Sequence, residues 1–106
     1  MIRAIHVVDD VVVSINKTNP PMLVVTANGR VDTAGWQHPA LTRVEYIHPP
    51  ADGIQEFGFA ADAPDGIVEQ VLTPITASHE TVCPEWVKGA RVKSATNAVE
   101  ALISHD

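Results

Sequence analysis

LTRVEYIH at residues 41–48, PPADG at 49–53, IQEFGFAA at 54–61, DAPDG at 62–66 and IVEQVLT at 67–73 follow one another without a break. Three runs rich in β-branched and aromatic residues are cut apart by two clusters of Pro, Asp and Gly. Runs of this kind bounded by turn formers read as strands. In 54–61 the period of two puts Phe57 and Phe59 on one face. In 41–48 it puts Val44, Tyr46 and His48 on one face and Arg43, Glu45 and Ile47 on the other. In 67–73 one polar residue, Glu69 or Gln70, falls among apolar neighbours unless a bulge intervenes.

The same punctuation extends in both directions. Val and Ile number 23 against four Leu, and eight prolines leave few windows for a long helix. Residues 2–16 form a strand region in which Asp9-Asp10 marks a tight turn or a bulge. KTNPP is a loop. Residues 23–27 form a strand, and Asn28-Gly29 is a strong hairpin signal with 30–33 returning; the competing reading runs one strand through Gly29 with a kink. Residues 34–39 are a loop carrying Trp36. Residues 75–82 form a strand after Pro74, Cys83-Pro84-Glu85-Trp86 a loop, and 89–95 another strand. In the tail, Asn97 and Glu100 match a helix capping box, but an extended strand through Val99 is favoured. The sum is one all-β domain over residues 1–106. Its expected architecture is an antiparallel β-sandwich, immunoglobulin-like or jelly-roll-like, of about seven to nine short strands.

The stretch GWQHPALTRVEYIHPPADGIQEFGFAADAPDGIVEQVLTPITAS resembles small bacterial β-sandwich proteins of unassigned function, some of them encoded on mobile gene cassettes. The resemblance covers residues 23–96 and rests on GW, PPADGI and GIVxQVLTPI. It implies a fold and supplies no catalytic residue.

Charge and cysteine content narrow the function classes. The formal net charge is −6, concentrated in the second half, and between Glu56 and Glu85 there are six acids and no base. Lys88, Arg91 and Lys93 are too few to make the basic stripe that replaces phosphate counterions, so nucleic acid is not an expected partner. No apolar run approaches the roughly 20 residues that span a bilayer, and the opening MIRAIHVVDD reaches acids too early for a signal peptide. The expected setting is the cytoplasm, with no membrane partner. The single Cys83 forms no internal disulfide and suits a reducing compartment.

The groups that could carry chemistry are scattered. His6, His38, His48, His79 and His105 show no zinc-ligand spacing, His48 beside Asp52 being the nearest approach. Cys83 and His79 share a strand face but lie about 13 Å apart over four extended steps, beyond proton-transfer reach. Ser78-His79-Glu80 alternate between faces and cannot form a triad. Asp62 and Asp65 in DAPDG are ordinary turn residues and lack the ligand count of a calcium loop. Asn16-Lys17-Thr18 matches a glycosylation sequon. No catalytic residue, metal site or cofactor is assigned.

The functional reading is a non-enzymatic binding or protein-interaction domain that uses a loop surface or a sheet edge and self-associates as a homodimer or larger assembly. The candidate binding residues are Trp36, Tyr46, His48 and Trp86, with the two indoles either plugging the ends of the sandwich or anchoring a partner. A small enzyme with its site between the sheets or at a dimer interface is the alternative; a structural or adaptor subunit is the third class.

Overall fold

The computed structural model describes residues 1–66 and 68–103. Among them are eight strands and no helix: β1 (Ile2–Ala4), β2 (Val7–Asn16), β3 (Met22–Val31), β4 (Gln37–Arg43), β5 (Ile54–Asp62), β6 (Thr73–Val82), β7 (Gly89–Lys93) and β8 (Ala98–Leu102). They form two packed sheets, the sandwich that the punctuated strands imply.

β5 is the hub of the five-stranded sheet. Arg43 to Leu41 of β4 pair with Phe57 to Phe59 along one edge. The other edge is shared: β1 covers Ala60–Asp62 and β7 covers Ile54–Gly58, with β8 beyond β7. The β5–β7 pair is parallel, which corrects the all-antiparallel expectation. A parallel pair needs a long crossover, and here β6 in the opposite sheet provides it. The second sheet is antiparallel, with β3 between β2 and β6.

The core follows the period of two. Phe57, Phe59 and Ala61 of β5 face Leu23, Val25, Ala27 and Val31 of β3, with Leu41, Ala77, Ala90 and Val92 filling between them. Burying each phenylalanine fully contributes about 1.5–3 kcal/mol.

Several boundaries differ from the sequence reading for local physical reasons. β3 runs through Asn28-Gly29, so the hairpin does not form. A Cβ at Gly29 would overlap the Val7 carbonyl oxygen and press on Phe59 and Ile5, so the glycine is there for close approach of β2. Opposite it, the register shifts between Val8 and Asp10; Asp9 is a bulge, not a turn. β6 continues through Pro74, which opposes Arg30 on an edge strand where a missing N–H is tolerated. Residues 68–72 are not strand, so Glu69 and Gln70 are exposed and the inward polar residue does not arise; Ile67 lies outside the described residues. The strand expected over 41–48 ends at Arg43, and the one expected over 89–95 ends at Lys93.

The tail is strand β8, and Asn97 is not a helix cap. The chain crosses from one sheet to the other at residues 5–6, between β1 and β2, and the β7–β8 loop satisfies the backbone there and at Val8. Asn97 Oδ1 accepts from the Val8 N–H at 3.0 Å and Asn97 Nδ2 donates to the Val8 carbonyl at 2.9 Å. Ala95 N–H donates to the Ile5 carbonyl at 2.7 Å.

Candidate binding cleft

The interior faces of β4 and β5 run out at the end of the sandwich formed by the start of β5. Leu41 and Arg43 share a face, as do Gln55, Phe57 and Phe59, and Arg43 opposes Phe57. Arg43 and Gln55 therefore stand at the mouth, where the apolar filling stops. Val44 N–H donates to the Glu56 carbonyl at 2.9 Å, carrying the pairing one step past β4. Beyond it, the Tyr46 hydroxyl accepts the Glu56 N–H at 3.2 Å.

The PPADG turn brings the opposite wall into place. Gly53 takes a φ of 71°, in the left-handed region where glycine is favoured. Its N–H donates to the Pro50 carbonyl at 3.1 Å, and its carbonyl accepts the Lys88 N–H at 2.7 Å. The latter bond ties the turn to the loop between β6 and β7. In that loop Val87 N–H donates to the Pro84 carbonyl at 3.1 Å, a turn that sets Trp86 against Tyr46. The two rings meet edge to face, centroids 6.0 Å apart and planes at 78°, an arrangement worth about 0.5–1.5 kcal/mol beyond area burial.

Between these walls lies a cleft of ≈ 150 Å³ lined by Arg43, Val44, Tyr46, Pro49, Gln55, Pro84 and Trp86. Gln55 is the only buried polar or charged side chain among the described residues, 2% exposed. Its Nε2 donates to the carbonyls of Val44 at 2.7 Å and Glu56 at 3.1 Å, which fixes the orientation of the amide. No described residue donates to its Oε1, yet that atom is not sealed from solvent; it opens to the cleft. Among the described residues Arg43 makes only a loose ion pair, with Glu45 3.7 Å away, and Glu45 is 85% exposed.

The four candidate residues do not converge. Tyr46 and Trp86 meet in the cleft. Trp36 lies at the opposite end, just before Gln37, which lines up with Asp62; from Glu56 to Asp62 is six extended steps, about 20 Å. Its indole N–H donates to the Thr33 hydroxyl at 2.9 Å and its ring packs on the core. A smaller hollow of ≈ 110 Å³ beside it is lined by Arg3, Ala4, His6, Asp32 and Ala95. His48 is exposed, and because β4 ends at Arg43 it shares no strand face with Tyr46. The sequence reading missed Arg43 and Gln55 as site residues. Their signal was present as two polar side chains at in-facing positions beside Leu41 and Phe57.

The remaining chemical groups are engaged elsewhere. Asp52 accepts the Ile54 N–H and an Arg91 N–H; the backbone bond first and the guanidinium second hold its carboxyl below its ordinary value. Arg91 also binds Glu100 at 2.7 Å, linking β7 to β8. His79 packs against Phe57 with centroids 5.6 Å apart. Among the described residues the Cys83 thiol bonds only the Pro84 carbonyl, and burial pushes it up. His105 lies outside the described residues. Among the described residues no three His, Cys, Asp or Glu side chains come together as metal ligands, and no helix is long and apolar enough to cross a membrane. A larger depression of ≈ 360 Å³ on the outer face of the five-stranded sheet has a floor of Ala4, Gly58 and Ala60, and its Lys93 is taken by Glu56 at 2.8 Å.

Compared with known proteins, the chain matches no family model, no curated protein and no solved structure.

Proposed function

We propose that the chain is a non-enzymatic binding domain whose site is the Tyr46–Trp86 cleft. The observation that carries this reading is the buried Gln55 amide, which leaves an open acceptor in the same cleft as a loosely paired guanidinium. The Nε2 bonds to the Val44 and Glu56 carbonyls hold the amide in one orientation, so its Oε1 is a fixed acceptor that faces the cleft, open to water or to a ligand donor. Small-ligand sites combine aromatic walls with a few convergent polar groups, and that is the composition here.

The cleft volume limits what enters. Water occupies about 30 Å³ in the liquid, so ≈ 150 Å³ holds about five waters, or one residue-sized unit of a larger ligand. The catalytic alternative calls for a histidine or carboxylate in a deep pocket with a strongly shifted pKa. The cleft is lined by neither, and the shifted groups Asp52, Cys83 and Arg91 have structural partners or simple burial behind them. The domain would act in the cytoplasm, where Cys83 stays reduced. Self-association belongs to the same reading: β2, β4, β6 and β8 each leave one edge without a strand partner among the described residues. Sedimentation in solution tests that part, and a strictly monomeric mass at high concentration would refute it.

The binding reading is tested with the Trp36→Phe protein, whose fluorescence reports Trp86 alone. Small carboxylic acids, amines, monosaccharides and capped amino acids are titrated in turn. At least one class should change Trp86 emission saturably, and the same compound should leave Trp36 unaffected in the Trp86→Phe protein. A response confined to Trp36, or none from any class, would overturn it.

A further inference from the structure

The donor and acceptor inventory of the cleft specifies more than binding in general. Resting on the reading above, we propose that its ligand is an acylated amino-acid unit with a free carboxylate, either a small molecule or the last residue of a peptide chain. Arg43 offers a planar fork that matches a carboxylate bidentately. Gln55 Oε1 is an acceptor waiting for an N–H. The Tyr46 hydroxyl uses its oxygen to accept from Glu56 and keeps its own hydrogen to donate. Arg43 opposes Phe57, and Gln55 lies two residues from Phe57 on the same face, so the two are diagonal neighbours. Such neighbours sit about 7–8 Å apart, a span that one residue-sized ligand bridges. The corner between the perpendicular rings, closed by Pro49 and Pro84, takes an apolar side chain.

Competing chemistries fit less well. A sugar ring stacks on a flat aromatic platform and needs several partners for its hydroxyls, whereas these rings stand at 78° to each other and the cleft holds one open side-chain acceptor. A phosphate dianion meets a single guanidinium flanked by Glu45 in a chain of net charge −6. A monoanion with an adjacent N–H matches the charge and the acceptor together. Its carboxylate would displace Glu45, whose contact with Arg43 is long and solvent-exposed.

The two tryptophans make the test direct, since each gives one indole N–H cross-peak in a ¹H–¹⁵N spectrum. N-acetyl-leucine is titrated against N-acetyl-leucinamide, which carries a neutral carboxamide in place of the carboxylate, into the native sequence, Arg43→Gln and Glu45→Gln. The expected result is a saturable shift of the Trp86 peak with a still Trp36 peak. The amide and Arg43→Gln should each weaken binding at least tenfold, and Glu45→Gln should tighten it about twofold. Glu45→Gln changes an exposed residue and asks for a gain, so misfolding cannot mimic its result. An acetylated pentapeptide ending in free leucine tells the sources apart: tighter binding than N-acetyl-leucine assigns a chain terminus, and equal binding assigns a small molecule. If acid and amide shift Trp86 with equal affinity, the carboxylate assignment is wrong while the cleft remains a binding site. If neither these compounds nor the wider panel moves the Trp86 peak, both readings fall.

Discussion

Replacing Asn97 by aspartate exchanges one NH₂ group for an oxygen at the joint between the two sheets. In the native chain the side-chain amide clamps Val8, accepting its N–H at 3.0 Å and donating to its carbonyl at 2.9 Å. Aspartate keeps the first bond and loses the second. It also sets a carboxylate oxygen against the carbonyl of a residue only 1% exposed. Leaving that carbonyl unpaired costs about 1–3 kcal/mol, and the added repulsion puts Asn97→Asp near the upper half of that range, about 2–3 kcal/mol. For a domain of this size that lowers Tm by roughly 10–15 °C. Urea unfolding followed by tryptophan fluorescence reads the loss as a lower midpoint with an unchanged slope. If Asn97 were a helix cap, aspartate would serve as well as asparagine, and a loss under about 0.5 kcal/mol would refute the clamp.

Three further outcomes follow from the packing and the charges. Gly29→Ala forces a Cβ onto the Val7 carbonyl oxygen and should cost about 1–3 kcal/mol, whereas Gly58→Ala, which meets nothing within 4 Å, should hold or gain about 0.4–1 kcal/mol; urea midpoints that move together would contradict the close approach at Gly29. Asp52 has a folded pKa below its ordinary 3.8, so its contribution is present above that value and lost as pH falls through the lowered one. The native chain should exceed Asp52→Asn in stability at pH 6, and the gap should close toward pH 2; a gap that widens on acidification would be wrong in sign. The Cys83 thiol is raised by burial, so a disulfide reagent at pH 8 should modify it more slowly in the folded chain than in the urea-unfolded chain, and equal rates would show the thiol to be open.

The strand content was legible because Pro, Asp and Gly interrupt β-branched runs at short spacing, and the in-facing pair Phe57 and Phe59 followed from alternation alone. Asn28-Gly29 misled because the same dipeptide serves a tight turn and a close backbone approach, and only the neighbouring bulge at Asp9 tells them apart. Residues 68–72 misled because their branched side chains carry strand propensity without a partner strand. Asn97 looked like a cap because its three-residue spacing to Glu100 is local, while its real partner, Val8, is 89 residues away. At the site, Trp86 was visible as an aromatic in a loop and Tyr46 as an aromatic on a strand face. Their meeting was not, since it depends on the Gly53 carbonyl joining two distant loops. Trp36 has the same local character and sits at the other end of the sandwich. Arg43 and Gln55 were not read as site residues, because alternation alone grouped Arg43 with Glu45 and Ile47, and seeing that the apolar frame ends there requires the register of β4 on β5.

Calorimetric titration of N-acetyl-leucine into Trp36→Phe and Trp86→Phe, side by side with the native sequence, tests the placement of the site most directly. Trp36→Phe should bind as the native chain does, because its indole is bonded to Thr33 about 20 Å from the cleft. Trp86→Phe should bind at least tenfold more weakly. Equal weakening of both, or loss in Trp36→Phe alone, would contradict a site at the Tyr46–Trp86 end.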